Sequence, residues 1–411
     1  AEEDTGSHRL IAETPYVQRQ KQEQRQRDKL SPGPPKAATL SLIASVSMGI
    51  YTASQVFRVH VELTTRCNAA CPMCPRTRAG GEPNPNLPLT ELTLSDFQTM
   101  FPPSLLRRLK QFLFCGNYGD ALTARDTLPI CEYLRRENPK LRVKLVTNGS
   151  GRDAAFWSAL AGLVTTVTFS IDGLGEVNQI YRRRTSWERV MDAVRAYLAA
   201  GGRAEWDYLV FRHNEHQVAE AEALAKQLGF AKFNVKRSQR FLVDGQAVER
   251  FPVLKAEGGI AYHLELPTQP DYQNSGFVRL SSLRERGQSY SEYLGTTKIA
   301  CKAVRDEQIY VSATGHVFPC CWLGQIYDSW PSPMAAEIRA RIAELPEGLA
   351  TLDLRQHRLD EIIDGPFFQE LVVRGWSPVA PEGRLSACGR MCGEIDTHSR
   401  QWESNSSTQV P

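Results

Sequence analysis

The chain has 411 residues, a formal net charge of +3 and a mean hydropathy of −0.36. That length allows two or three domains and a large core, and so mild a charge argues against a nucleic-acid partner. No apolar run reaches the length of a membrane span; the nearest, residues 37–56, is rich in Ser, Thr and Ala. No basic start leads into an apolar core, so the expectation is a cytoplasmic protein without a membrane segment. The 10 cysteines are unevenly clustered, which favours metal in a reducing compartment over disulfides.

Taken in order, residues 1–36 read as a tail. Gln18 to Lys29 is nearly all Gln, Arg and Lys, and Ser31-Pro32-Gly33-Pro34-Pro35 breaks any helix. Disorder or a lone solvated helix is expected there, with a basic arm for a partner as the functional alternative. Residues 37–56 form an apolar lead-in expected to pack on a barrel edge. From Phe57 onward, short β-branched runs alternate with amphipathic helical stretches, which is the pattern of βα units and a parallel sheet. Strands are expected near Arg58–Leu63, Gln111–Phe114, Arg142–Val146, Thr166–Ile171, Glu205–Phe211 and Lys232–Lys236. Helices fall between them, with Ser186 as an N-cap and Gly201-Gly202 as a stop. The expected class is α/β, spanning residues 37–240.

Immediately after the first strand comes Cys67-Asn68-Ala69-Ala70-Cys71-Pro72-Met73-Cys74. Pro72 and Pro75 forbid a regular helix, so the three thiols sit on a loop that can curl around one object. Three thiolates suit an iron–sulfur cluster and leave one iron open. A thioredoxin-like Cys71–Cys74 pair is one alternative, and zinc, which needs a fourth ligand, is another.

Ligands of parallel α/β folds bind at the carboxyl ends of strands. Strand two is followed by Gly119-Asp120, strand three by Asn148-Gly149, strand four by Ser170 and Asp172, and strand five by Arg212 and Asn214. Arg182, Arg183 and Arg184 follow the fourth strand, and the sequence leaves open which of them points inward. Basic residues Arg212, Lys236, Arg237 and Arg240 at the mouth suit a carboxylate-bearing substrate.

Residues 241–300 read as linker and short elements. Gln308–Val311 and His316–Phe318 around Thr314-Gly315 read as a β-hairpin. The hairpin folds Cys320 back towards Cys301, and Cys388 and Cys392 add two thiols from a turn containing Gly389. Cys301, Cys320, Cys388 and Cys392 form a closed set for a cluster or zinc, with Cys321 as the substitute for Cys320. Cys115 and Cys131 read as core residues. Residues 301–400 make a second domain, and 401–411 a disordered tail.

The C-x3-C-x2-C loop resembles that of the radical S-adenosylmethionine (SAM) enzymes. The resemblance implies a partial (β/α)6 barrel, a [4Fe–4S] cluster on Cys67, Cys71 and Cys74, and S-adenosylmethionine on the open iron. It places Met73, Gly119, Asp120, Asn148, Ser170, Asp172, Arg182 and Asn214 around that cofactor. Met73 stands where the family usually has an aromatic residue. The Cys301-x13-Gly315-x4-Cys320 spacing resembles SPASM and twitch domains, which implies one auxiliary [4Fe–4S] cluster in a small α+β domain. The implied activity is reductive cleavage of S-adenosylmethionine and hydrogen abstraction from a peptide or protein side chain. An electron donor such as flavodoxin or ferredoxin is the implied partner. A radical dehydrogenase or isomerase of a small metabolite, and a non-catalytic iron–sulfur or zinc protein, remain as alternatives.

Overall fold

The computed structural model describes residues 49–243, 246–274, 276–377 and 383–394. The expectations for the basic tail, for most of the apolar lead-in and for residues beyond 394 lie outside the described residues. The barrel elements follow the sequence pattern closely. They are β1 (Arg58–Val61), α1 (Leu94–Met100), β2 (Gln111–Phe114), α2 (Thr127–Glu137), β3 (Arg142–Thr147), α3 (Ala154–Leu163), β4 (Thr166–Ser170), α4 (Trp187–Ala199), β5 (Ala204–Val210), α5 (Val218–Leu228) and β6 (Lys232–Arg237). Ser186 caps α4 by accepting from Arg189 N at 3.3 Å. Gly201 then turns the chain with a φ of +81°, a conformation glycine adopts without strain.

Strands β1 to β6 are all parallel and in sequence order. Their alternation separates two faces. Phe112, Phe169, Trp206 and Tyr208 are fully buried. Trp157 of α3 packs on Phe169 and Trp206 packs on Phe230, so this face carries the helices. Burying each such side chain contributes about 1.5–3 kcal/mol. The opposite face presents His60, Glu62, Ser170, Asp207, Asn234 and Lys236 and is polar. A polar inner face with apolar flanks is the arrangement of a half-open barrel with a site inside.

The segment read as linker contains a second, separate hairpin of β7 (Arg250–Leu254) and β8 (Ile260–Glu265), antiparallel. It covers the cysteine loop: Leu254 N donates to Ala79 O at 2.8 Å, and Arg183 Nη1 donates to Leu254 O at 3.2 Å. Helix α6 (Tyr290–Thr296) follows.

The expected hairpin is present as β9 (Gln308–Val311) and β10 (Val317–Phe318), turning at Gly315 with φ +83°. It does not stand apart from the barrel. Strand β9 pairs parallel with β1, Arg58 opposite Gln308, so the sheet has eight strands in the order β10-β9-β1-β2-β3-β4-β5-β6. The lead-in residues 49–56 pack beside it, and Tyr51 Oη donates to Gln308 O at 2.6 Å. Helices α7 (Cys321–Tyr327), α8 (Pro333–Ala343) and α9 (Ser386–Cys392) complete the chain. The described residues cluster as one compact unit. Among the described residues, no helix is long and apolar enough to cross a membrane.

Candidate active site

The cysteine loop leaves the carboxyl end of β1 and is held from inside by Arg76. Its Nη1 donates to Cys67 O at 3.0 Å and to Ala69 O at 3.2 Å. A tight turn adds Cys74 N to Cys71 O at 3.0 Å. Each thiol meets a donor or a cation. Cys67 Sγ receives Ala69 N at 3.4 Å and Asn148 Nδ2 at 3.7 Å. Cys71 Sγ receives Arg182 Nη1 at 3.9 Å. The guanidinium charges of Arg240 and Arg76 act on Cys74. Burial pushes the Cys67 and Cys74 thiols above their ordinary range, with neighbouring negative charge adding to the effect.

The loops after β2 and β3 are stitched to the cysteine loop. Asp120 N donates to Arg66 O at 2.9 Å. A Cβ on Gly119 would stand 1.7 Å from Thr64 O, so glycine is required there by contact with the cysteine loop's own backbone. Asp120 is buried and accepts from Thr147 Oγ1 at 2.9 Å, Asn148 N at 2.8 Å and Asn148 Nδ2 at 2.7 Å. Burial raises its pKa despite those bonds. Asp120 therefore orients Asn148, which in turn reaches Cys67 and Asn68 Oδ1.

Asp172, fully buried, holds Arg182 Nε at 2.6 Å and Leu209 N at 2.7 Å. Of the three consecutive arginines, Arg182 turns to the cysteine loop and Arg183 turns to the β7–β8 hairpin. Arg184 takes a φ of +64°, which reverses the chain there. Asn214 lies four residues beyond the end of β5. It is buried and makes no cap bond; its Oδ1 accepts from Phe211 N at 2.7 Å and its Nδ2 donates to Asp172 O at 2.8 Å. Its amide is consumed in fixing a turn. Met73 packs with Phe211, Phe241, Val253 and Leu264. Ser170 lies at the end of β4, opposite Asp207.

Glu62 was not singled out by its sequence. It is buried under the β2 loop and accepts from Tyr118 N at 2.6 Å, Gly119 N at 2.7 Å and Tyr310 Oη at 2.6 Å. Desolvation outweighs these bonds and raises its pKa to about 7. Its signal was the alternation His60-Val61-Glu62, which places it on the inner face. Two mouth cations are neutralised: Arg212 pairs with Glu265 at 3.0 Å and Lys236 with Asp207 at 3.5 Å.

Cys301, Cys320, Cys388 and Cys392 line a single pocket with Ile299, Trp322, Leu323, Val372, Trp376 and Met391. Cys388 and Cys392 sit one turn apart on helix α9 rather than on a turn. Gly389 lets that helix touch α6, since a Cβ would stand 2.8 Å from Leu294 O. The pocket is closed by Ala300 N donating to Cys392 O at 2.8 Å and Lys302 N to Cys392 Sγ at 3.5 Å. Cys321 does not line it; burial raises the pKa of its thiol, and Cys115 adds to the effect. Among the described residues, no three His, Cys, Asp or Glu side chains converge tightly enough for a single metal ion. Cubane clusters need thiolates spaced around a larger object.

A family model, the Radical SAM superfamily, matches residues 61–225. Residues 61–225 are a radical SAM domain. The match begins in β1 and takes in the cysteine loop, the Asp120 and Asn148 loops, Arg182 and Asn214. Similar solved structures include anSMEcpe with bound AdoMet, 14% identical over 77% of this chain and 79% of that one, with a TM-score of 0.48. SuiB of Streptococcus suis bound to S-adenosylmethionine is 11% identical over 65% and 61%, with a TM-score of 0.43. BtrN in complex with AdoMet and 2-DOIA is 12% identical over 64% and 73%, with a TM-score of 0.32. No curated protein matches the chain. A radical SAM domain implies a [4Fe–4S] cluster and S-adenosylmethionine. The donor set fits them. Three thiols share one loop, each beside an N–H donor or a cation, and the buried Arg76 Nε has no partner of its own.

Proposed function

We propose that Cys67, Cys71 and Cys74 hold the [4Fe–4S] cluster and that Asn148, Arg182, Ser170 and Met73 surround S-adenosylmethionine beside it. The observation that carries this reading is the convergence of the β2, β3 and β4 loops on the three thiols. When bound, the cluster delivers an electron to S-adenosylmethionine, which yields methionine and a 5′-deoxyadenosyl radical able to take hydrogen from an unactivated carbon. The chain's own residues do the rest. Asn148 and Arg182 place N–H donors on two of the thiolates, stabilising their charged form. Asp120 and Asp172, both buried, lock those two donors in place. Met73, Phe211 and the β7–β8 hairpin keep water away from the loop.

Cys301, Cys320, Cys388 and Cys392 hold a second, closed [4Fe–4S] cluster in this reading. The Trp376 indole N–H, buried in that pocket without a partner, stands toward Cys388 and favours its thiolate. The substrate is a peptide or protein side chain. Reductant comes from a flavodoxin or ferredoxin in the cytoplasm. The barrel comprises residues 37–240 and the auxiliary domain 301–400, with the β7–β8 hairpin between them. The test is 5′-deoxyadenosine formation under dithionite. The parent enzyme should release it, and the Cys67→Ala, Cys71→Ala, Cys74→Ala triple variant should not. Equal release by both would end the proposal.

A further inference from the structure

Arg240 is a cation of the site that has no carboxylate partner among the described residues. It lies three residues beyond β6, at the carboxyl end of the sheet, where ligands of parallel folds bind. Its Nη1 bonds the Tyr181 hydroxyl. The charges acting on it come from Tyr181, Cys74, Arg182 and Cys71, so it faces the cysteine loop. Arg182, its neighbour, is matched by Asp172, and Lys236 by Asp207. No carboxylate pairs with Arg240 among the described residues. Its side chain is exposed, so the guanidinium is open to a ligand from solution. Tyr181 belongs to the apolar cluster of Phe211, Phe241, Val253 and Leu264, and its ring lies 4.6 Å from that of Phe211. A positive fork at the edge of an apolar wall selects one kind of ligand: a carboxylate carried on an aliphatic stem.

We infer that Arg240, braced by Tyr181, is the binding site for a carboxylate of the substrate. The substrate is then a peptide that presents an Asp or Glu side chain, or its own carboxyl terminus, next to the cysteine loop. This inference rests on the radical reading above and narrows its substrate class. The guanidinium, fixed by its bond to Tyr181, orients the carbon chain beside it.

The test uses the full chain, loaded with iron–sulfur anaerobically and saturated with S-adenosylmethionine without reductant. Glutarate and its neutral diamide are titrated by calorimetry into the parent, Arg240→Gln and Arg240→Lys. The parent should bind glutarate and ignore the diamide. Arg240→Gln should weaken glutarate about ten- to a hundredfold, the range of a lost charged hydrogen bond, and Arg240→Lys should fall between. Iron content and melting temperature of each variant check that it is folded and loaded. Four results overturn the assignment: no glutarate binding by the parent, equal binding by the diamide, equal binding by Arg240→Gln, or, in a parallel titration, markedly tighter glutarate binding by parent loaded without S-adenosylmethionine. The last would make Arg240 a cofactor ligand. Failure of the parent to form 5′-deoxyadenosine under dithionite is a separate result and bears on the radical reading, not on Arg240.

Discussion

Cys67, Cys71 and Cys74 occupy one loop of eight residues. Cys301, Cys320, Cys388 and Cys392 come from three separated segments. The first set is surrounded by N–H donors and arginines, and the second by Ile299, Leu323, Val372 and Met391. Three thiols in a polar, partly open setting suit a metal group that must accept a ligand. Four thiols in an apolar pocket suit one that must not. The contrast shows that ligand number and surroundings vary together, because an open coordination position is useful only where polar groups can receive what binds to it.

The largest expected effect separates the two sets by metal content. Anaerobically loaded parent should carry about eight irons per chain, and the triple alanine variant of the first set about four. Cys388→Ala should also fall to about four while keeping the loop site. A parent with about four irons and one zinc would leave the first site as proposed and make the second structural. Cys321→Ala, by contrast, should keep the full iron count; a loss there would move the ligand from Cys320 to Cys321.

A second break concerns the ion pair under the loop. Arg182→Ala leaves the Asp172 carboxylate buried and unpaired, so denaturant unfolding should show a loss of roughly 3 kcal/mol. A loss below about 0.5 kcal/mol, the level of a surface pair, would mean that the pair does not hold the site together. Among the described residues that line the closed pocket there is no such charge pair, and an equivalent test there would use Trp376.

Glu62 joins the two regions, since it binds the β2 loop and Tyr310 of β9. Its folded pKa of about 7 lies above the ordinary carboxyl value of 4.5. The folded chain therefore binds more protons than the unfolded chain between those pH values. Stability should decline as pH rises from 4.5 to 7 and level off above, by at most roughly 3 kcal/mol for this residue. In Glu62→Gln that slope should flatten. An unchanged profile would show that Glu62 is charged in the folded chain at low pH.

The smallest effect concerns loading. Burial raises the Cys67 and Cys74 pKa values, so ligation must expel protons. Iron uptake by the apo chain should become faster and tighter as pH rises through neutral. Pocket thiols Cys320 and Cys388 are likewise raised, so both sites should respond in the same direction.

Much of the barrel was legible in the sequence. The strand ends of β2 matched to the residue and the others to within one or two, because each buried strand carries its own apolar alternation. The cysteine loop was legible for the same reason: its three thiols and two prolines are local. The β7–β8 hairpin was not, because Arg250, Pro252 and exposed Ile260 break the alternation, and its purpose is to cover a loop about 180 residues earlier. Whether a polar or small residue such as Asn214 or Gly119 serves a ligand or its own backbone depends on contacts that no local pattern records.

By itself, the sequence determined a parallel α/β barrel, a thiol loop at the end of its first strand, and a hairpin turning at Gly315. Local periodicity, turn chemistry and residue spacing carry that information along the chain. Only the tertiary structure decided that β9 would pair with β1, that Cys388 and Cys392 would sit on a helix rather than a turn, that Arg182 rather than its neighbours would reach Cys71, and that Arg240 would have no carboxylate partner among the described residues. Each of these depends on pairing across long stretches of chain. Burial and charge compensation among residues far apart in sequence select such pairings, and they leave no periodic trace in the sequence.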